Sequence, residues 1–157
     1  MTHEELLYEA IRLSHENQES GGGPFGAVVA REGRIIAATG NRVTATNDPT
    51  AHAEVCAIRL ACERVGDFSL AGCEIYSSCE PCPMCLGAIY WARLDALHFA
   101  ATRTDAADTG FDDAFLYTEI GKPIGERAIQ TVHIEGLQGY ATAAFVAWQE
   151  RTGRTEY

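Results

Sequence analysis

Hydrophobic and polar positions alternate along this chain with periods that change every ten to twenty residues. Over residues 2–19, Leu6, Leu7, Ala10, Ile11 and Leu13 recur at helical spacing, which predicts an amphipathic helix. Thr2 is placed to cap it, with Glu4 and Glu5 at its positive end. The Gly21-Gly22-Gly23-Pro24 run ends it. Two short apolar runs, 25–30 and 34–38, flank Glu32-Gly33 and predict a β-hairpin. A polar loop follows over 41–50, then a helical pattern over about 51–65. Residues 74–77 read as a short buried strand, and a helix runs from the following Cys-Pro segment through Trp91. A strand is expected at 96–101. Residues 102–125 read mostly as loop, with a short helix at 113–120. A last strand is expected at 128–134 and a last helix at 142–151. Strands alternating with helices predict an α/β domain with helices on both faces of a sheet. No internal repeat or linker divides the 157 residues, so a single domain is expected.

Composition narrows the function classes. Twelve basic against 22 acidic residues give a net charge of −10, and Lys122 is the only lysine. Proteins that bind a long polyanion draw much of their affinity from basic side chains on phosphates. A small neutral substrate is therefore expected rather than nucleic acid. No stretch is apolar enough for a membrane span, and the N-terminal residues lack a secretory pattern. Six cysteines without that pattern predict thiols or metal ligands in a reducing compartment, the cytoplasm.

The candidate chemistry lies in His52-Ala53-Glu54 and Pro81-Cys82-Pro83-Met84-Cys85. One imidazole and two thiolates can hold Zn²⁺ and leave its fourth position to water. Cys82 and Cys85, three apart, share a face at the start of a helix, where the helix dipole favours thiolate. His52 and Glu54 are two apart and can reach one centre only from a helix's first turn, which places Ala51 or His52 near a helix start. H-x-E with P-C-x-x-C is the signature of the zinc-dependent base deaminases. Alternatives remain open: a redox Cys-x-x-Cys pair, an iron–sulfur loop that includes Cys79, or a closed structural zinc with Cys79 as fourth ligand. The iron–sulfur reading lacks its next cysteine, since position 89 is Ile. Cys56, Cys62 and Cys73 read as small buried hydrophobes. His3, His15, His98 and His133 have no metal partner at recognisable spacing and read as structural.

Longer stretches resemble a known family. Residues 24–28 (Pro-Phe-Gly-Ala-Val), Asn41, residues 48–54 and residues 78–89 are similar to the purine-acting branch of the cytidine-deaminase-like superfamily. Thr104-Asp105-Ala106-Ala107, Gly110-Phe111-Asp112-Asp113 and the terminal Glu156-Tyr157 resemble bacterial guanine deaminases. The resemblance implies a three-layer α/β/α sandwich around a five-stranded mixed sheet. It also implies one Zn²⁺ per subunit, and a homodimer whose C-terminal segments are exchanged so that Tyr157 closes the partner's pocket. It implies hydrolytic deamination of guanine to xanthine, with His52, Cys82 and Cys85 on zinc and Glu54 shuttling protons. Asn41 and Asp113 would hydrogen-bond the purine, with Phe25 against its ring. Ala53 and Trp91 are further pocket candidates, as is Glu80. Guanosine deamination, tRNA adenosine deamination and a non-enzymatic zinc-stapled binding protein are the competing expectations.

Overall fold

The computed structural model describes residues 1–157, which form two compact units, 1–114 and 115–157. Helix α1 (His3–Glu19) opens on a capping box: Glu5 N–H donates to Thr2 Oγ1 and Thr2 N–H to Glu5 Oε2, satisfying two donors the helix start would otherwise leave free. Its buried residues, Leu6 and Ala10, pack with Val28, Ala30 and Tyr76 on one face of the sheet. Strands β1 (Gly26–Arg31) and β2 (Arg34–Gly40) form the expected hairpin. Its turn residues Glu32 and Gly33 both have positive φ, 50° and 73°, the geometry that matches strand twist. A Cβ at Gly33 would lie 2.7 Å from Met1 O, so the turn needs glycine for space as well as for conformation.

A short helix α2 (Val43–Thr46) interrupts what the sequence reads as a plain polar loop. Helix α3 (Ala53–Val65) then packs Ala53, Ala57, Ile58 and Ala61 with Ala27, Val29, Ala37 and Ile75 on the other sheet face. Three of these four helix residues are alanine, which lets the helix backbone come close to the sheet. Strand β3 (Glu74–Cys79) leads through Pro81 into α4 (Pro83–Trp91), and β4 (Ala96–Ala101) completes the sheet. The order is β2-β1-β3-β4, with β1 antiparallel to both neighbours and β3 parallel to β4. Side chains of β3 alternate: Ile75 joins the α3 cluster and Tyr76 the α1 cluster. Fully buried Leu6, Leu70, Ile75, Val28 and Val29 each contribute about 1.5–3 kcal/mol of burial. A five-residue helix, α5 (Arg103–Ala107), follows β4.

The sheet has four strands, not five. The expected strand at 128–134 is irregular, and its apolar residues Ile129, Val132 and Ile134 are exposed. The segment finds no neighbouring strand to pair with in the chain. His133 therefore lies in an irregular stretch as well. The second unit carries most of α6 (Ala114–Gly121), two 3₁₀ turns, and α7 (Gln138–Glu150), which starts four residues earlier than its pattern predicts. No helix is long and apolar enough to cross a membrane.

Candidate active site

Two helix starts meet at the α3 face of the sheet. His52 is the N-cap of α3 and Cys82 the N-cap of α4, both in extended backbone. Proline at the first position of α4 fits because that residue needs no N–H and wants a fixed φ. Chain reversal at both helix starts turns His52 and Cys82 past the helix ends toward each other. His52 Nδ1 lies 3.6 Å from Cys82 Sγ and 3.5 Å from Cys85 Sγ, and the two sulfurs are 3.5 Å apart. The centre of such a triangle is about 2 Å from each donor, near zinc's ~2.0 Å to nitrogen and ~2.3 Å to sulfur. The donor set fits a zinc ion with one position left open. Cys79 is outside this group: its thiol faces Thr102 O at 3.5 Å, so the fourth-ligand arrangement is not formed.

Glu54, in the first turn of α3, is buried beside the triangle but not in it. Ser77 donates to its Oε1 at 3.0 Å, and Oε2 lies 3.4 Å from Cys85 Sγ. Burial pushes the carboxyl above its ordinary range. The Cys82 thiol is pushed down to about 4, chiefly by the Cys85 thiol and then by His52. The Cys85 thiol is pushed up, chiefly by holding a proton against the Cys82 sulfur. Hydrogen bonding to Cys82 raises the His52 imidazole. Before metal enters, the pair thus carries its charge on Cys82.

The remaining predicted residues divide. Asn41 is buried just after β2; its N–H donates to Phe25 O at 2.9 Å and its Oδ1 accepts from Val43 N–H at 3.1 Å. Arg42 N–H donates to Ala51 O at 2.9 Å, which draws Asn41 toward His52. A Cβ at Gly23 would lie 3.3 Å from the Asn41 amide carbon and 3.4 Å from the Phe25 ring, so a side chain there would crowd both. Phe25 meets Phe111 edge to face at 5.0 Å. That contact anchors the segment leading to Asp113, whose carboxyl is pushed up by burial and then by the negative charge on Cys82. Ala53 is fully buried in the core. Trp91 is exposed at the far end of α4, beside a shallow depression with Tyr90 and Arg93. Glu80 accepts from Arg103 N–H at 3.1 Å, and Asp112 from Ala114 N–H at 2.9 Å, so both act on local backbone. Tyr157 is exposed in the second unit. Sequence reasoning does not single out Ser77; its one signal is a hydroxyl in an otherwise buried strand. Phe111 enters there only as part of a motif, with no role assigned.

Comparisons with known proteins agree with this geometry. A family profile described as the cytidine and deoxycytidylate deaminase zinc-binding region matches residues 1–101. The chain is 51% identical over 158 residues to a guanine deaminase of Bacillus subtilis, covering all of both chains. A crystal structure of guanine deaminase from that organism superposes with a TM-score of 0.96, covering 100% of this chain and 99% of that one. A guanine deaminase structure from Nitrosomonas europaea is 34% identical, with a TM-score of 0.67, over 72% of this chain and 66% of that chain. A tRNA-specific adenosine deaminase of Agrobacterium fabrum is 49% identical over 97 residues, 62% of each chain.

Proposed function

We propose that this chain, which belongs to the cytidine and deoxycytidylate deaminase zinc-binding family, is a guanine deaminase that hydrolyses guanine to xanthine and ammonia. The observation that carries the reading is the His52–Cys82–Cys85 triangle with buried Glu54 outside it, in a chain alike from end to end to a guanine deaminase. Similarity to the tRNA adenosine deaminase covers only 62% of the chain. The net charge of −10 also disfavours a polyanionic substrate.

His52, Cys82 and Cys85 would hold zinc, one ion per subunit, and the ion would supply a water acidified toward neutrality. Glu54 would take a proton from the water that adds to C2 of guanine and deliver it to N3. A second transfer through Glu54 protonates the amino group, which leaves as ammonia. Burial suits this carboxyl to both directions of transfer, since a carboxyl raised toward neutrality gives and takes protons more evenly. Ser77 fixes one oxygen and leaves Oε2 to carry the proton. Asn41 Oδ1 is engaged by Val43 N–H, so its amide N–H₂ is the group offered to the purine's acceptors. Asp113 accepts from the N–H groups of the guanine edge, and Phe25, braced by Phe111, packs on the ring.

The working form in this proposal is a homodimer with exchanged C-terminal segments, residues 1–157 acting as one catalytic domain. Supporting it, the second unit exposes Ile120, Tyr140, Phe145 and Trp148 among others, and exposed apolar area of this kind marks an interaction surface. Six cysteines, none in a disulfide, suit a reducing cytoplasm. The deciding experiment is xanthine and ammonia formation by zinc-loaded protein given guanine, with guanosine alongside. Turnover of guanine well above guanosine is expected. A preference for guanosine would reassign the substrate, and no turnover of either would reject the reading.

A further inference from the structure

On the sheet face opposite Glu54, three side chains far apart in sequence converge. His3 opens α1, Glu74 opens β3, and His98 lies in β4 opposite Tyr76. His3 Nδ1 is 3.3 Å from Glu74 Oε2, and His98 Nε2 is 3.1 Å from the same oxygen. Tyr76 O–H donates to that oxygen at 2.5 Å and lies 2.8 Å from His3 Nδ1. The aromatic rings are layered, with 4.7 Å between the Tyr76 and His98 centroids and 4.7 Å between those of His98 and His3.

Without an ion, hydrogen bonds hold the cluster: Tyr76 O–H and the Nε2–H tautomer of His98 donate to Glu74 Oε2, and the Nδ1–H tautomer of His3 donates to Tyr76. Neutral imidazole can instead turn a lone pair from the same nitrogen, and His3 Nδ1, His98 Nε2 and Glu74 Oε2 then form a set of three ligand atoms. The edges of 3.1 and 3.3 Å are those of nitrogen and oxygen ligands about 2.0–2.2 Å from a shared ion. The His52–Cys82–Cys85 edges are longer, 3.5–3.6 Å, as the larger sulfur radius requires.

We propose that His3, Glu74 and His98 form a second divalent-metal site, taking Zn²⁺ or a neighbouring late transition metal. Imidazole and carboxylate select those ions over calcium and magnesium, which prefer oxygen ligands throughout. A cavity of ≈ 290 Å³, walled by Thr2, Glu32 and Gly33 together with His3, Glu74 and Tyr76, opens beside the cluster. It admits water to complete the coordination. Tyr76 is back to back with Ser77 on β3, so the ion lies across the sheet from Glu54. Its role is to clasp the first turn of α1 to β3 and β4, not to take part in catalysis. Bound ion raises stability by mass action, because the unfolded chain has no such site.

The test is calorimetric titration of Zn²⁺ into protein that already holds its catalytic zinc, at pH about 7.5. One further binding event per chain is expected. His98→Ala and Glu74→Gln each weaken it by more than about tenfold, with guanine turnover and the first zinc retained. In the cobalt-substituted protein the second equivalent adds d–d absorption and no sulfur-to-metal charge-transfer band, since no thiol is present. Should His98→Ala misfold by circular dichroism, His3→Ala at the exposed helix start serves in its place. Absence of a second event in the native chain overturns the proposal. So does an event that survives unchanged in the variants.

Discussion

At Glu54 a carboxylate is buried with one hydroxyl partner and a neighbouring thiol. A charge placed there without a task would be a pure cost to folding. Its geometry makes sense if the proton it holds is moved to and from the reacting base. Glu54→Gln preserves shape and hydrogen-bonding capacity while removing the acid–base function. The expected result is full zinc content with turnover reduced by about 10²–10⁴-fold, read by metal analysis beside steady-state kinetics; near-native turnover would move the shuttle elsewhere. Asp113 is argued from a different observation, a carboxyl pushed up by burial and by the Cys82 charge. Asp113→Ala leaves the guanine N–H groups unpaired in the bound state, so kcat/KM for guanine should fall by at least about tenfold while zinc stays bound. Unchanged kinetics would free Asp113 from recognition. Acid should strip the zinc, and the sign follows from the ligands. Cys82 is already a thiolate near neutrality, whereas Cys85 and His52 hold protons more tightly than usual. Zinc must displace those protons, so its affinity falls as pH falls. Binding near pH 7 should release about one to two protons, measurable as the buffer dependence of the binding enthalpy.

Among the elements, the helix starts do the positioning, and they are the part most legible in the sequence. His-x-Glu demands a helix beginning near Ala51 or His52, and α3 begins with His52 as its cap. Pro81-Cys82-Pro83 demands a strand-to-helix corner, and β3 runs into α4 there. Legibility fails where partners come from non-local contacts. Residues 128–134 carry β-branched residues suited to a strand, but a strand forms only where a neighbouring strand accepts its hydrogen bonds, and none in the chain does. His3 and His98 read as isolated because nothing in their spacing says that α1 starts over β3 and β4; the helix's own apolar stripe, Leu6 and Ala10, sets that placement. Trp91, expected near the pocket from its closeness in sequence to Cys85, is exposed at the end of α4 in the single chain. The α1–β1 contact is itself testable. A Cβ at Gly26 would lie 2.3 Å from Ala10 O and 2.8 Å from Ser14 N, both backbone atoms that cannot move alone. Gly26→Ala should therefore destabilise the fold by about 1–3 kcal/mol, seen as a lower Tm. An unchanged Tm would mean that the helix is free to shift on the sheet.

At the scale of the whole molecule, the proposed function gives Tyr157, at the other end of the chain, a role beside a zinc-ligand set drawn from residues 52–85. Glu54, His52, Cys82 and Cys85 all belong to the first unit and Tyr157 to the second. The proposed exchange of C-terminal segments makes each pocket a product of two chains, and that has a consequence no cis arrangement shares. Two variants, Glu54→Gln and a chain lacking Tyr157, would each be impaired alone. When their subunits are mixed and allowed to exchange at random, about half the dimers carry one of each, as two-fold assembly requires. In such a dimer one pocket combines both defects, the Glu54→Gln substitution and the missing tyrosine. The other pocket pairs native Glu54 with native Tyr157. Mixing should thus restore roughly a quarter of the native activity per site, with sedimentation confirming that the species are dimers. If Tyr157 serves its own chain, each mixed dimer still contains two damaged pockets and activity stays at the level of the parents. Recovery on mixing supports the exchange; failure to recover, with subunit exchange verified by mass-tagged chains, rejects it.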